Sequence, residues 1–192
     1  MILSSSCTKE TQMDRTIFVP DEEDASLPAY TEWGYNSFGA IYDNRTYFLV
    51  SNNIAPCKIL YKDGALRFTL SGILRARNNY YSTTEQVTLS ISFPENNIMQ
   101  CSDLLIFNNK EINIADEGCV VQLIRGKDEL TLEVLYGFLH FKRAQLLYID
   151  DAPNRVILSG VFELRFLENG FLATIADGRF DVGINDNVFY AY

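Results

Sequence analysis

A chain of 192 residues with 47% apolar and 13% aromatic side chains suits one folded domain with a sizeable core, not a disordered segment. Its formal charge of −9 leaves no excess of Lys and Arg to neutralise phosphates, which excludes nucleic acid and anionic lipid surfaces as direct partners. Apolar runs such as Tyr47–Val50 and Leu104–Phe107 are far too short to cross a bilayer.

The chain opens on Leu3-Ser4-Ser5-Ser6-Cys7-Thr8, a run of small residues ending in cysteine. Bacterial lipoprotein signal peptides end in this way, and the cysteine becomes the lipidated first residue of the mature protein. Six residues precede Cys7, fewer than the charged start and roughly 7–15 apolar residues of a complete signal peptide. Residues 1–6 therefore read as the remnant of a leader and Cys7 as the lipid attachment point; the plainer alternative is an incidental cysteine in a small tail. Residues 7–29 read as an acidic linker, because Asp21-Glu22-Glu23-Asp24 and its polar flanks carry no helix or strand period. Such a stretch self-repels and stays extended, holding a domain away from a membrane. Thr16-Ile17-Phe18-Val19 interrupts it and can pair as a short edge strand, and the acid run lacks the ligand spacing of a calcium loop.

Residues 30–192 form one β domain by their patterning. Val87, Leu89, Ile91 and Phe93 alternate with Thr88, Ser90 and Ser92. Leu66, Phe68 and Leu70 alternate with Arg67, Thr69 and Ser71, and Phe162, Leu164 and Phe166 with Glu163 and Arg165. A period of two marks a strand with one face in the core and one in water. Strands are predicted at 38–43, 45–51, 57–62, 65–74, 86–93, 120–124, 131–140, 143–149, 156–168 and 171–183. Asp63-Gly64 and Asn169-Gly170 suit tight hairpins, Gly126-Lys127-Asp128 a looser one, and Asp150–Asn154 a longer loop. The Pro94–Asp103 window suits one helical turn, and Phe189–Tyr192 an edge strand. The expected fold is all-β, an antiparallel β-sandwich or open barrel of about ten strands with little or no helix.

Chemistry-bearing residues are sparse. Cys57, Cys101 and Cys119 sit among apolar neighbours without C-x-x-C spacing, and read as small buried hydrophobes with at most one disulfide among them. His140 is the one histidine, so a zinc site or a Ser-His triad has too few parts. No metal site, cofactor or catalytic residue is expected. Carboxylate pairs for glycoside hydrolysis exist on paper among Asp43, Glu85, Glu133, Glu163, Asp177 and Asp181, but sequence spacing does not show that any two face each other. Tyr30, Trp33, Tyr35, Phe38 and Tyr42 crowd the start of the domain, and Tyr80-Tyr81 follow Asn78-Asn79. Rings beside Asn and Asp are what a sugar platform uses. Trp33, Tyr80 and Tyr81 are the candidate ligand-binding residues, whereas Phe38 and Tyr42 fit the inward register of the first strand.

Two stretches carry a family resemblance. Leu27-Pro28-Ala29-Tyr30-Thr31-Glu32-Trp33-Gly34-Tyr35-Asn36-Ser37-Phe38-Gly39 is similar to an L-P-x-x-T-x-x-G-x-N-[ST]-F-G opening. Ser159–Leu164 and Ile175–Val182 are similar to its closing G-x-F-E-[LF] and I-[TA]-D-G-R-F-D, with Ala176 where Thr is usual. The family is one of β-rich Bacteroidetes lipoproteins of unknown function, and the resemblance spans residues 27–184. It implies a lipid on Cys7 and a place in the cell envelope, at the outer membrane, facing the periplasm or the exterior; it supplies no catalytic residues. Gly34 and Gly39 then read as sites of turns or close backbone approach, Gly160 as a bend or bulge, and Asp177-Gly178 as a turn or bulge that lets Arg179 pair with Asp177 or Asp181. The sequence thus points to a non-catalytic binding or accessory module for a glycan or an envelope-protein partner, membrane-bound through its lipid alone. A structural or assembly component is the alternative, and a carboxylate hydrolase the third reading.

Overall fold

The computed structural model describes residues 14–51, 55–76, 84–149 and 152–192. Cys7, Tyr80 and Tyr81 lie outside these.

The alternating segments become strands in nearly the registers their patterns predict. They are β1 (Ser37–Tyr42), β2 (Thr46–Val50), β3 (Cys57–Lys62), β4 (Ala65–Ala76), β5 (Thr84–Pro94), β6 (Lys110–Asn113), β7 (Val120–Arg125), β8 (Asp128–Thr131), β9 (Glu133–Ile149), β10 (Ala152–Glu168), β11 (Phe171–Ile184) and β12 (Phe189–Ala191). Asp63-Gly64 and Asn169-Gly170 turn with both φ angles positive, which right-twisted hairpins require. All pairs are antiparallel except the short contact of β12 with β3. The pairing path runs β6-β9-β10-β11-β1-β2-β4-β5-β7-β8, and its two ends do not pair, so the sheet is open and not a closed barrel. β3 and β2 share one edge of β4, β3 along Ala65–Leu70 and β2 along Gly72–Ala76.

The sheet folds across its own apolar face. Phe68 on β4 and Phe93 on β5 meet Phe141 on β9, with centroids 5.4 and 6.5 Å apart, and Phe180 on β11 lies 5.7 Å from Phe141. Strands distant along the path thus share one core, the burial that drives an amphipathic sheet to fold over.

Three sequence expectations change. The strands predicted at 131–140 and 143–149 are one strand of 17 residues. Phe141 pairs with Gly160 and Arg143 with Ser159, so the gap left at residues 141–142 holds a bulge at Lys142 and not the end of a strand. The helical turn lies later than expected, as a 3-10 helix over Cys101–Phe107. Asp103 sets its start by accepting the backbone N–H groups of Met99 and Gln100 at 2.8 and 3.0 Å, and the first of these bonds leads in holding its carboxyl below the usual range. The short β6 and β8, which carry little alternation, are additional.

Residues 14–29, expected as part of an extended tether, lie instead as a strap against the sheet. Ile17 N–H donates to Tyr35 O, and Ala29 N–H to Val19 O. Leu27 is 1% exposed, in a small cluster with Ile41, Tyr47 and Leu49 apart from the main core. The acids do not repel the strap from the domain because they find donors: Asp21 accepts Glu23 and Asp24 N–H and meets Arg179 at 2.5 Å, and Tyr47 Oη donates to Asp24. Pro28 crosses Gly39 so closely that a Cβ there would stand 2.3 Å from Pro28 Cδ, the close approach expected of this glycine.

Candidate ligand-binding site

The outer face of β9–β11 carries the candidate site, and one buried carboxylate organises it. Ser37, Asp181 and Ser159 stand opposite one another on β1, β11 and β10. Asp181 is 1% exposed yet accepts five hydrogen bonds. Oδ2 takes Thr31 Oγ1 at 2.5 Å, Trp33 N–H at 3.0 Å and Tyr35 N–H at 3.2 Å. Oδ1 takes Gly34 N–H at 2.7 Å and Ser159 Oγ at 2.9 Å. A carboxylate can accept at several lone-pair sites at once, so residues 31–35 wrap around this one side chain. Gly34, with φ of 72°, supplies the left-handed turn this wrapping needs. Asn36 continues the clamp: its Oδ1 accepts Gly183 N–H at 2.9 Å.

Trp33 therefore has a fixed backbone and a free ring. It is 71% exposed, the indole projecting from a loop whose amides are held from behind.

Beside this loop lies a cleft of about 260 Å³ lined by Tyr30, Phe138, Val161, Glu163, Asp177 and Arg179, with Phe162 and Gly178 beneath. Glu163 projects between Phe138, its partner on β9, and the bulge of β11, where Asp177 takes φ of 52°. Arg179 pairs with neither Asp177's nor Asp181's carboxylate as the sequence had suggested. Its guanidinium meets Asp21 of the strap and the Asp177 carbonyl, because Asp181 is already saturated by the loop. Tyr30 Oη donates to Glu32 at 2.8 Å, and Lys142 Nζ sits 5.0 Å from the Tyr30 centroid. Burial, then the bond to Glu32, pushes the Tyr30 hydroxyl far up. No hydrogen bond or ion pair among the described residues engages the carboxylates of Glu163 and Asp177.

Of the six candidate acids, only Glu163 and Asp177 share this cleft. Asp43 occupies the β1–β2 turn with φ of 48°, Glu133 is exposed at the start of β9, and Glu85 lines a separate cleft with Arg125 and Glu168. His140 is a half-buried strand residue whose ring nitrogens lie 3.7 Å from Glu111 and 3.4 Å from Asn109. Cys57, Cys101 and Cys119 are free thiols, pushed up by burial, Cys101 to about 12. That suits packing and not nucleophilic chemistry. A larger cleft of about 670 Å³ lies between Asp14–Thr16, Pro56 and Asn187. Among the described residues no group of three or more His, Cys, Asp or Glu side chains converges as a metal site would require, and no helix is long and apolar enough to cross a membrane.

Sequence reasoning missed Phe138 and the role of Asp181. Phe138 breaks the register of Leu139 and Phe141 and so faces outward, a signal visible once the strand is placed. No family model matches the chain, and neither the curated proteins nor the solved structures yield a match.

Proposed function

We propose that the chain is a cell-envelope lipoprotein, lipidated at Cys7, whose β domain is a non-catalytic binding module for a glycan. The observation that supports this reading is Trp33: an exposed indole on a loop pre-ordered by four bonds to Asp181. A ring offered to solvent normally loses freedom on binding; here the backbone is ordered in advance, which lowers that cost. The indole face stacks on the C–H face of a sugar, and the adjoining cleft with Tyr30, Phe138, Glu163 and Asp177 supplies polar partners for its hydroxyls.

Trp33 is the only tryptophan, so its fluorescence reports the site directly. Titration with a panel of envelope and dietary oligosaccharides is expected to shift Trp33 emission saturably, Trp33→Ala to lose binding, and the oligosaccharides to remain uncut. Absence of binding across the panel removes the glycan reading, and cleavage replaces it with the hydrolase. Intact mass of protein from its native membrane, expressed with the upstream genomic sequence, is expected to show a chain beginning at Cys7 with lipid added. The assembly reading draws its support from Leu135, Tyr136, Phe171 and Leu172, all more than half exposed near the Asn169-Gly170 hairpin. It predicts co-purification of an envelope protein that Trp33→Ala leaves intact.

A further inference from the structure

We infer that the cleft between Tyr30 and Asp177 selects an ammonium-bearing sugar ring, an amino sugar whose nitrogen is not acylated. The inference deepens the glycan reading and rests on it for the ring; the ammonium preference follows from the cleft itself.

Two carboxylates of the cleft, Glu163 and Asp177, have no cation partner among the described residues, whereas Lys142 and Arg143 stand near Tyr30, Arg143 donating to Gln145. Arg179 is held by Asp21 at 2.5 Å and by the Asp177 carbonyl at 3.2 Å. Lys142 lies over the Tyr30 ring, whose hydroxyl is bonded to Glu32. His140, opposite Val161 across β9 and β10, faces Glu111 at 3.7 Å. Glu163 and Asp177 are left as two carboxylates without a partner among the described residues. Glu163 is partly buried and Asp177 exposed, so a cation in the cleft reaches both from the solvent side.

Size and surface narrow the ligand. About 260 Å³ lies below the roughly 300–1,000 Å³ of drug-sized sites, so the cleft takes one ring and not a chain. Phe138, Val161 and Tyr30 offer the apolar wall that a sugar's C–H face needs, and an ammonium near aromatic faces is itself favoured. Arg179 and Asp181 are two residues apart on β11. The cleft and the Trp33 loop are therefore separated by only about 7 Å of strand, a spacing that lets neighbouring rings of one oligosaccharide use both. The same two carboxylates disfavour uronates, sialates and sulfated sugars.

The test compares two probes on the full chain in a mildly acidic buffer: a fully deacetylated glucosamine tetramer and its N-acetylated counterpart, read by Trp33 fluorescence and calorimetry. The amine form is expected to bind about tenfold or more tightly, a preference that weakens with salt. Glu163→Gln with Asp177→Asn is expected to erase the preference while the N-acetylated tetramer binds as before. Both changes lie on the outer face, and Asn tolerates the left-handed conformation at 177, so the fold is retained. Equal affinity for the two tetramers, or a preference that survives the double variant, overturns the inference and leaves the glycan reading standing. If neither tetramer perturbs Trp33, the glycan reading falls, and calorimetry with methyl glucosaminide decides the cleft alone. Heat abolished by the double variant supports it, and no heat overturns it. A lysine tetrapeptide that binds as tightly as the amine tetramer overturns the assignment of a sugar ring.

Discussion

Asp181 and Trp33 are 148 residues apart in sequence, and the backbone N–H of Trp33 donates to Asp181 Oδ2 at 3.0 Å. This bond joins the two ends of the domain: the loop that enters β1 is held by the strand that pairs with β1 on its other edge. Residues 31–36 near the start of the domain and 181–183 near its end are thereby in direct contact. Thr31 and Gly34 of the first donate to Asp181 of the second, and Asn36 accepts from Gly183.

Replacing Asp181 tests this hub. Asp181→Ala leaves three backbone amides and two hydroxyls without their acceptor, the Ser159 hydroxyl among them fully buried. A loss of at least about 3 kcal/mol is expected, since one unsatisfied buried group costs about 1–3 kcal/mol. Urea unfolding measures the loss, and Trp33 fluorescence anisotropy should fall as the loop loosens. A change below about 1 kcal/mol with unchanged anisotropy would mean that other contacts hold the loop.

Gly39→Ala is expected to lift the strap without breaking the core. The new methyl would collide with Pro28, while Leu27 packs in a cluster separate from the main one. Limited proteolysis should cut near residues 20–28 in the variant well before the strands are attacked. Simultaneous digestion of strap and strands would place the strap within the same cooperative unit as the sheet.

The β architecture was legible because its signals are local. Alternation over Val87–Phe93 and Phe162–Phe166 needs only neighbouring residues, and Asp63-Gly64 and Asn169-Gly170 announce their turns by backbone chemistry alone. The gap at residues 141–142 arose for the same reason: Lys142 interrupts the local alternation, and only the pairing of Phe141 with Gly160 and Arg143 with Ser159 shows a bulge within one strand. Trp33 could be named as a candidate, but what fixes it could not, since one acid among 25 carries no mark that five donors converge on it. Arg179 was assigned to the acids nearest in sequence. Its partner, Asp21, is 158 residues away, in a segment whose charge read as solvated.

Acid should release the strap before the sheet. The Asp24 N–H leads in holding the Asp21 carboxyl below its usual range, with the Glu23 N–H and the Arg179 charge adding to it. A carboxyl depressed by folding contributes stability that is present above its unfolded value and is lost as pH falls through its folded value. The window therefore lies below about pH 4. Amide exchange at Leu27, whose N–H donates to Asp24 O, should accelerate there ahead of exchange in β10. Asp21→Asn should show the faster exchange at neutral pH and lose the acid step. An acid step that persists in Asp21→Asn would assign it to another group.

Phe141 should be the costliest side chain to truncate. It is fully buried on β9, and its ring meets Phe68, Phe93, Phe107 and Phe180, contributed by β4, β5, the 3-10 helix and β11. It therefore sits where the two arms of the folded-over sheet touch, and removing it opens a cavity that neither arm can close alone. Phe141→Ala is expected to cost about 3–5 kcal/mol, and Phe141→Leu, which keeps most of the volume, under about 2 kcal/mol. Trp33→Ala, at an exposed position, should stay within about 0.5 kcal/mol. Calorimetric unfolding of the three variants checks the order. If Phe141→Ala instead splits the transition in two while β1–β5 remain folded, the arms are separate cooperative units and the shared aromatic core is not what holds the sheet closed upon itself.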